Sequence, residues 1–246
     1  MIPSKMKALA ILEPGKAQVV EVTTPAPQPG EILIKIERCL LCTWEQRMYR
    51  NGAGAALPMI PGHEISGNVA AVPEDTVTSF KVGDRVVAKT LDSCGHCEYC
   101  YNGDDNNCVG VAKKRFYDGI PSSGGLAQFI ALPLNRVYLL PNQLVDLNIA
   151  AFAEPVACCI RSLDRANLAL GEDAVIVGAG IMGQLHNLLA KLRGGRTIVV
   201  DLDAERLALA KQMGADEVVN PNEGDPYARI RELTLGMGAH AIFYTL

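Results

Sequence analysis

Residues 174–183 read Ala174-Val175-Ile176-Val177-Gly178-Ala179-Gly180-Ile181-Met182-Gly183, and they decide the fold of the second half of the chain. The four apolar residues at the start form a continuous run, the pattern of a strand covered on both faces. Gly178, Gly180 and Gly183 follow in GxGxxG spacing and lead into residues 181–192, which read as a helix. A GxGxxG alone says little. Here it follows a strand, opens a helix, and has an acidic residue about 20 positions on, at the end of a second apolar strand. That strand is residues 197–200, and the acid is Asp201. The glycines let backbone approach a pyrophosphate at a helix N-terminus, where N–H groups and the helix dipole favour anions. Asp201 would accept hydrogen bonds from both ribose hydroxyls of the adenosine and repel a 2′-phosphate, so NAD is expected rather than NADP. Ile181, Met182 and Arg206 complete the cofactor-binding set.

Downstream, Asp203 caps a helix that stops at Gly214, residues 218–219 form a short strand, 226–235 a helix and 241–245 a fourth strand. A doubly wound sheet of two mononucleotide-binding halves has about six strands. Four are read here, so the expected fold is a Rossmann domain short of its second half. An edge at Ile242-Phe243-Tyr244 would then present unpaired backbone and apolar side chains, which invites pairing with another chain.

Upstream of residue 166 the pattern is different. Residues 8–12, 18–22 and 32–36 read as strands separated by Pro14-Gly15 and by 25–30, and 69–72, 85–88, 127–131 and 136–139 continue the series. Short strands between turn formers suggest a small barrel or sandwich. A helical segment at 146–151 leads to Glu154, and Pro155 fits the first turn of a further helix. Cys158 and Cys159 on that helix, and Cys39, read as packing residues.

Within this half, Cys94, Cys97 and Cys100 recur every third residue and Cys108 follows close by. Four thiolates at this spacing on a loop with Gly and Asn form a closed tetrahedral zinc site that staples a lobe. His96 lies inside the loop, but four sulfurs fill the shell. A second constellation is more dispersed. Gly62-His63-Glu64-Ile65-Ser66-Gly67 sets an imidazole beside a carboxylate, and Cys42 stands upstream. A catalytic zinc takes three protein ligands and keeps one position open. Cys42 and His63 supply two; the third is expected to be Glu154, directly or through one water, with Glu64, adjoining the histidine, as its alternate or as a carboxylate that orients a ligand.

The 246 residues suffice for two domains, and with 49% hydrophobic and 20% charged residues the composition is that of a globular protein. A net charge of −4 gives no basic surface for nucleic acid. No apolar run approaches the roughly 18 residues of a membrane span, and residues 8–12 are too short for a secretory signal. The eight cysteines therefore read as reduced and the location as cytoplasmic.

Taken in order, Cys42, Gly62-His63-Glu64, the Cys94/Cys97/Cys100/Cys108 lobe, Glu154-Pro155, and Gly178 to Gly183 with Asp201 resemble the zinc-dependent medium-chain alcohol dehydrogenases over the whole chain. Glu154, where some relatives carry cysteine, is similar to the polyol, sorbitol and threonine dehydrogenase branch. The resemblance implies a fold of class α/β plus β: a GroES-like catalytic domain over 1–165, then a partial Rossmann NAD-binding domain over 166–246. It implies one catalytic and one structural zinc, hydride transfer between an alcohol or polyol and NAD, and a homo-oligomer, dimer or tetramer, in the full-length form. It also implies a return of the chain to the first domain after a complete sheet, so the 246-residue chain alone is expected to associate and to turn over alcohol slowly. The alternative is a non-catalytic NAD- and zinc-binding module. Three positions depart from the family pattern. Trp44 replaces the Ser or Thr that passes the substrate proton outward, with Thr43 adjacent; Arg47 replaces a histidine of that relay; and Pro73 replaces a glycine.

Overall fold

The computed structural model describes residues 1–52, 54, 56–110, 115–141 and 145–246. They form two compact units, Met1–Glu154 and Pro155–Leu246.

The first unit is built of β1 (Lys5–Glu13), β2 (Lys16–Thr23), β3 (Glu31–Leu40), α1 (Thr43–Asn51), β4 (Glu64–Ala71), β5 (Arg85–Lys89), α2 (Glu98–Tyr101), β6 (Arg115–Tyr117), β7 (Ile120–Ser122), β8 (Phe129–Pro133), β9 (Val137–Leu139) and α3 (Leu147–Ala150). Five strands make an antiparallel sheet in the order β8-β3-β4-β5-β9, flanked by the hairpins β1-β2 and β6-β7. Single bridges, Ala8 to Ala127, Ile11 to Met59 and Ile60 to Ser122, tie the hairpins to the segments beside the sheet. The run Ile32-Leu33-Ile34 shows why both faces are buried. Ile32 and Ile34 join Ile65, Val69, Val86 and Ile130 in one core. Leu33, on the opposite face, joins Met6, Ala8, Val22 and Ile60 in another. A side-chain period of two thus feeds two cores from one strand.

Helix α1, the short α2 and the β6-β7 hairpin lie outside the expected set. Helix α1 buries only Glu45 and Met48, too few apolar positions for a readable helical period. The β6-β7 hairpin turns on Asp118-Gly119, both at positive φ (46° and 85°), the geometry of a two-residue type I′ turn.

In the second unit, α4 (Ala153–Ala166) runs on from the first unit's last residues and is followed by β10 (Asp173–Val177), α5 (Ile181–Leu192), β11 (Arg196–Val200), α6 (Ala204–Gln212), β12 (Glu217–Val219), α7 (Pro226–Leu233) and β13 (Ala241–Tyr244). The sheet is parallel in the order β12-β11-β10-β13, the first four places of the Rossmann order. Ala174 and Ile176 face a core with Leu163, Ala190, Leu207 and Phe243. Val175, with Ile198, Val200 and Val219, faces a second core against Ile230 and Leu233 of α7. Both faces are covered, as the continuous apolar strands require. Among the described residues β13 is an edge, with Ile242 and Tyr244 exposed and Ala241 and Phe243 buried. The expectation for Cys158 fails: Cys159 is fully buried but Cys158 is exposed, because neighbours on a helix point about 100° apart and only one faces the core. No helix among the described residues is long and apolar enough to cross a membrane.

Candidate functional site

Cys42, His63 and Glu64 offer a sulfur, an imidazole nitrogen and a carboxylate oxygen that all lie within 4.8 Å of one another. Cys42 is the N-cap of α1, and Glu64 opens β4, so helix start and strand start meet here. The residue that fixes the geometry is Glu45, buried in the first turn of α1. One of its carboxylate oxygens accepts the Cys42 N–H at 3.0 Å. The other accepts the Gly62 N–H at 3.2 Å and lies 2.9 Å from His63 Nδ1. An ionised carboxylate only accepts, so Nδ1 carries the proton and Nε2 keeps its lone pair. That nitrogen stands 4.0 Å from a Glu64 oxygen. A carboxylate behind a metal-ligating histidine sets its tautomer and raises its basicity. Accordingly the hydrogen bond that His63 donates to Glu45 holds the imidazole above its usual range against the opposing effect of burial. Burial pushes the Glu64 carboxyl up, opposed by the nearby His63.

Gly62 explains how the histidine is held. At φ 100° it packs so closely that an added Cβ would come within 2.5 Å of the Leu126 nitrogen. Backbone lies on backbone, and His63 leaves a rigid junction. Beside it Trp44 sets its indole edge-on to the His63 ring, with centroids 6.1 Å apart and planes at 80°. Thr43 is exposed, its hydroxyl 4.0 Å from Cys42 Sγ. Glu154 lies outside the set of donor atoms within 4.8 Å, although its charge raises the pKa of both His63 and Glu64.

The second cluster is all sulfur. Cys94, Cys97, Cys100 and Cys108 bring their Sγ atoms within 4.8 Å of one another. Individual separations are 3.9 Å for Cys94–Cys100, 3.5 Å for Cys97–Cys100 and 3.9 Å for Cys97–Cys108. Tetrahedral zinc–sulfur bonds of about 2.3 Å place sulfurs about 3.8 Å apart. The spacing fits a zinc ion and is far too long for disulfides. Backbone N–H groups of His96 and Cys100 hold the Cys94 and Cys97 thiols below their ordinary range, the latter down to about 6. His96 turns away, its Nδ1 2.7 Å from the Cys94 carbonyl oxygen. Asp105 ties the lobe to β5 through an ion pair with Lys89, and Arg136 holds Asp92 Oδ1 at 2.6 Å and the Ser93 carbonyl at 2.8 Å.

In the second unit the glycines divide the work. Gly178 sits at φ 100°; a Cβ on Gly183 would lie 1.8 Å from the Gly178 oxygen; around Gly180, the N-cap of α5, a Cβ would meet nothing within 4 Å. The first makes the turn, the last lets helix pack on strand, and the middle one leaves open backbone at a helix N-terminus. Asp201 accepts the N–H groups of Ala179 at 2.6 Å and Asp203 at 2.9 Å. Although burial pushes its carboxyl up, these N–H groups hold it below the usual range. Arg206 is exposed on α6 and pairs with Asp203 at 3.7 Å. Ile181 and Met182 form the first turn of α5.

Glu45 was not among the expected site residues. Its signal was present: an acid three positions after a helix N-cap is half of a capping box, here with Cys42 in the place of Ser or Thr.

Comparison with known proteins agrees with this architecture. Residues 28–142 match the alcohol dehydrogenase GroES-like domain and residues 182–246 the zinc-binding dehydrogenase family. Sorbitol dehydrogenase of Bacillus subtilis is 33% identical over 249 residues, covering 99% of this chain and 69% of that protein. L-threonine 3-dehydrogenase of Xanthomonas euvesicatoria is 35% identical, covering 87% of this chain and 63% of its own length. Among solved structures, the short chain alcohol dehydrogenase rspB of Escherichia coli CFT073, complexed with NADH, superposes with a TM-score of 0.86 at 28% identity, covering 99% of this chain and 70% of that one. The fold and the two donor clusters define a zinc- and dinucleotide-binding oxidoreductase. The chain belongs to the zinc-dependent medium-chain alcohol dehydrogenase family, and it spans about two thirds of the length of these relatives.

Proposed function

We propose that the protein transfers a hydride between an alcohol or polyol and NAD at a zinc held by Cys42, His63 and Glu64, with Glu154 as the alternate carboxylate. The observation that carries this is the trio within 4.8 Å, backed by a buried glutamate on the far nitrogen of its histidine. Zinc bound there supplies a Lewis acid for the alcohol oxygen, and NAD supplies the hydride acceptor. The chain's own residues do the rest. The Cys42 thiolate and the Glu64 carboxylate would together balance the charge of a divalent ion held there. Glu45 keeps His63 in the tautomer that binds metal. The Trp44 N–H donates but cannot accept, so it cannot relay a proton. The exposed Thr43 hydroxyl, which can do both, is the group we assign to carrying the substrate proton outward. Asp201 selects NAD over NADP at the adenosine ribose.

In the same reading Cys94, Cys97, Cys100 and Cys108 hold a structural zinc, residues 1–165 act as the catalytic domain and 166–246 as part of the NAD-binding domain. The natural assembly is a homo-oligomer in the cytoplasm. The test is NADH formation by the zinc-loaded protein with a panel of alcohols and polyols, with and without Cys42→Ala. Activity that requires Cys42 is expected. No turnover of any member by a zinc-replete, NAD-binding protein would instead identify a non-catalytic module.

A further inference from the structure

One peptide group at the head of the dinucleotide loop is held at both of its polar ends. The Gly178 carbonyl and the Ala179 N–H belong to the same planar trans peptide, so they point in opposite directions. The N–H end donates to Asp201 Oδ2 at 2.6 Å. The carbonyl end receives the Thr245 hydroxyl, whose oxygen lies 3.0 Å from Gly178 O and 3.0 Å from Val177 O. The Thr245 N–H also donates to Val177 O, at 2.9 Å. Val177 therefore keeps a partner without the hydroxyl, whereas for Gly178 O the hydroxyl is the donor the structure provides. The same carbonyl is pressed against Gly183, where a Cβ would lie 1.8 Å away and only 3.2 Å from Thr245 Oγ1.

The topology explains the arrangement. Asp201 follows β11 and Thr245 follows β13, the two strands that flank β10. The loop after β10 is thus gripped from both neighbouring strand ends, at the place where an open parallel sheet binds its ligand. Gly178 at φ 100° is in a conformation that glycine enters with little resistance, so local preference alone does not fix the peptide's direction.

We infer that Thr245 is a positioning residue for dinucleotide binding: its hydroxyl sets the Gly178–Ala179 peptide and, through the Ala179 N–H, the Asp201 carboxylate that discriminates NAD from NADP. This rests on the assignment of Asp201 to the adenosine ribose made above. As a positioning residue, acting through the Gly178–Ala179 peptide and Asp201, Thr245 is expected on removal to change binding and selectivity rather than the hydride step.

The experiment measures Kd for NAD and for NADP on the zinc-loaded protein and its Thr245→Val, Thr245→Ser and Asp201→Ala variants, together with kcat at saturating NAD. Thr245→Val keeps the shape and loses the hydroxyl. It is expected to weaken NAD by about threefold to tenfold, the effect of one neutral hydrogen bond, and to narrow the NAD-over-NADP ratio with kcat unchanged. Thr245→Ser, which keeps the hydroxyl, is expected to behave as the parent. If Thr245→Val does not fold, Thr245→Ala is set against Thr245→Ser, and equal affinities in that pair overturn the inference. Wild-type affinity and selectivity in Thr245→Val, or a loss of thermal stability with an unchanged ratio, overturn it also. If Asp201→Ala leaves the ratio where it was, the ribose assignment itself fails; if Asp201→Ala shifts the ratio and Thr245→Val does not, only the role of Thr245 falls.

Discussion

The four thiols between Cys94 and Cys108 sit on a loop with one short α-helix and one 3-10 turn, close together in sequence and partly exposed. Cys42, His63 and Glu64 instead come from the start of a helix and the start of a core strand, and a buried carboxylate stands behind them. The difference is one of purpose. A sulfur cluster that fills a tetrahedron needs little from the rest of the fold, because metal binding itself orders the loop. A trio that must leave one position open has to be held by something other than the metal. Glu45 does this with three contacts, to the Cys42 and Gly62 N–H groups and to His63 Nδ1. The first cluster shapes the protein, and the protein shapes the second.

That contrast can be broken in four ways. Cys42→Ala should lower alcohol oxidation by about a thousandfold or more, since a Lewis acid contributes several kcal/mol to such a transition state. Circular dichroism and the melting temperature should stay near those of the parent, because the surrounding elements keep their own cores. Cys94→Ser should do the reverse. Thermal unfolding should show a loss on the order of 3 kcal/mol, a part of the free energy that structural zinc contributes to folding, with the trio's geometry left in place.

Glu45→Gln sharpens the comparison further. It should cut zinc affinity at the trio by about tenfold to a hundredfold, the usual effect of removing the group behind a ligating histidine, and leave the four-thiol cluster unchanged. Trp44 reports on the trio directly, being the only tryptophan in the chain and 6.1 Å from the His63 ring. Its fluorescence should follow zinc titration into the trio and ignore zinc in the lobe. Identical titrations for the parent and Glu45→Gln would remove the distinction drawn here.

The smallest effect concerns the anchoring of the lobe. Although burial raises its pKa, hydrogen bonding and charge from Lys89 hold the Asp105 carboxyl below the ordinary carboxylate range. A depressed carboxyl pKa contributes stability above the unfolded value, and that contribution is lost as the pH falls through the folded one. Asp105→Asn should therefore destabilise the protein by no more than about 1 kcal/mol at pH 7, the pair being partly exposed. The gap from the parent should close below about pH 4, as unfolding curves across that range would show. A gap that widens on acidification would contradict the ion pair.

How much of this could be read from the chain follows the same divide. The four-thiol cluster is local, so its spacing alone placed it. The dinucleotide loop was equally legible, because strand, glycines, helix and Asp201 follow one another within a single βαβ unit, and α5 occupies the residues read as helical. The trio was half legible. Cys42 and His63 stood out by residue type, but the sequence alone favours Glu154 for the third position, whereas the structure brings Glu64 within 4.8 Å of both and leaves Glu154 outside that set, because sequence distance says nothing of which carboxylate faces the imidazole. Glu45 was passed over although its place three positions after Cys42 is half of a capping box, because α1 itself was not read as a helix, and Thr245 because its role exists only across two strands. Helix α1 was missed because its buried face holds an acid and one methionine. The β6-β7 hairpin was different: Asp118-Gly119 between apolar residues is a turn signal that the sequence did carry.

The most direct test is the zinc content of purified protein. The account predicts two zinc ions per chain in the parent, one in Cys42→Ala, one in Cys94→Ser and none in the double variant, with zinc-dependent activity surviving only where Cys42 is present. A parent that holds at most one ion, or two substitutions that deplete the same ion, would contradict the separation of an open, protein-held trio from a closed, metal-held lobe.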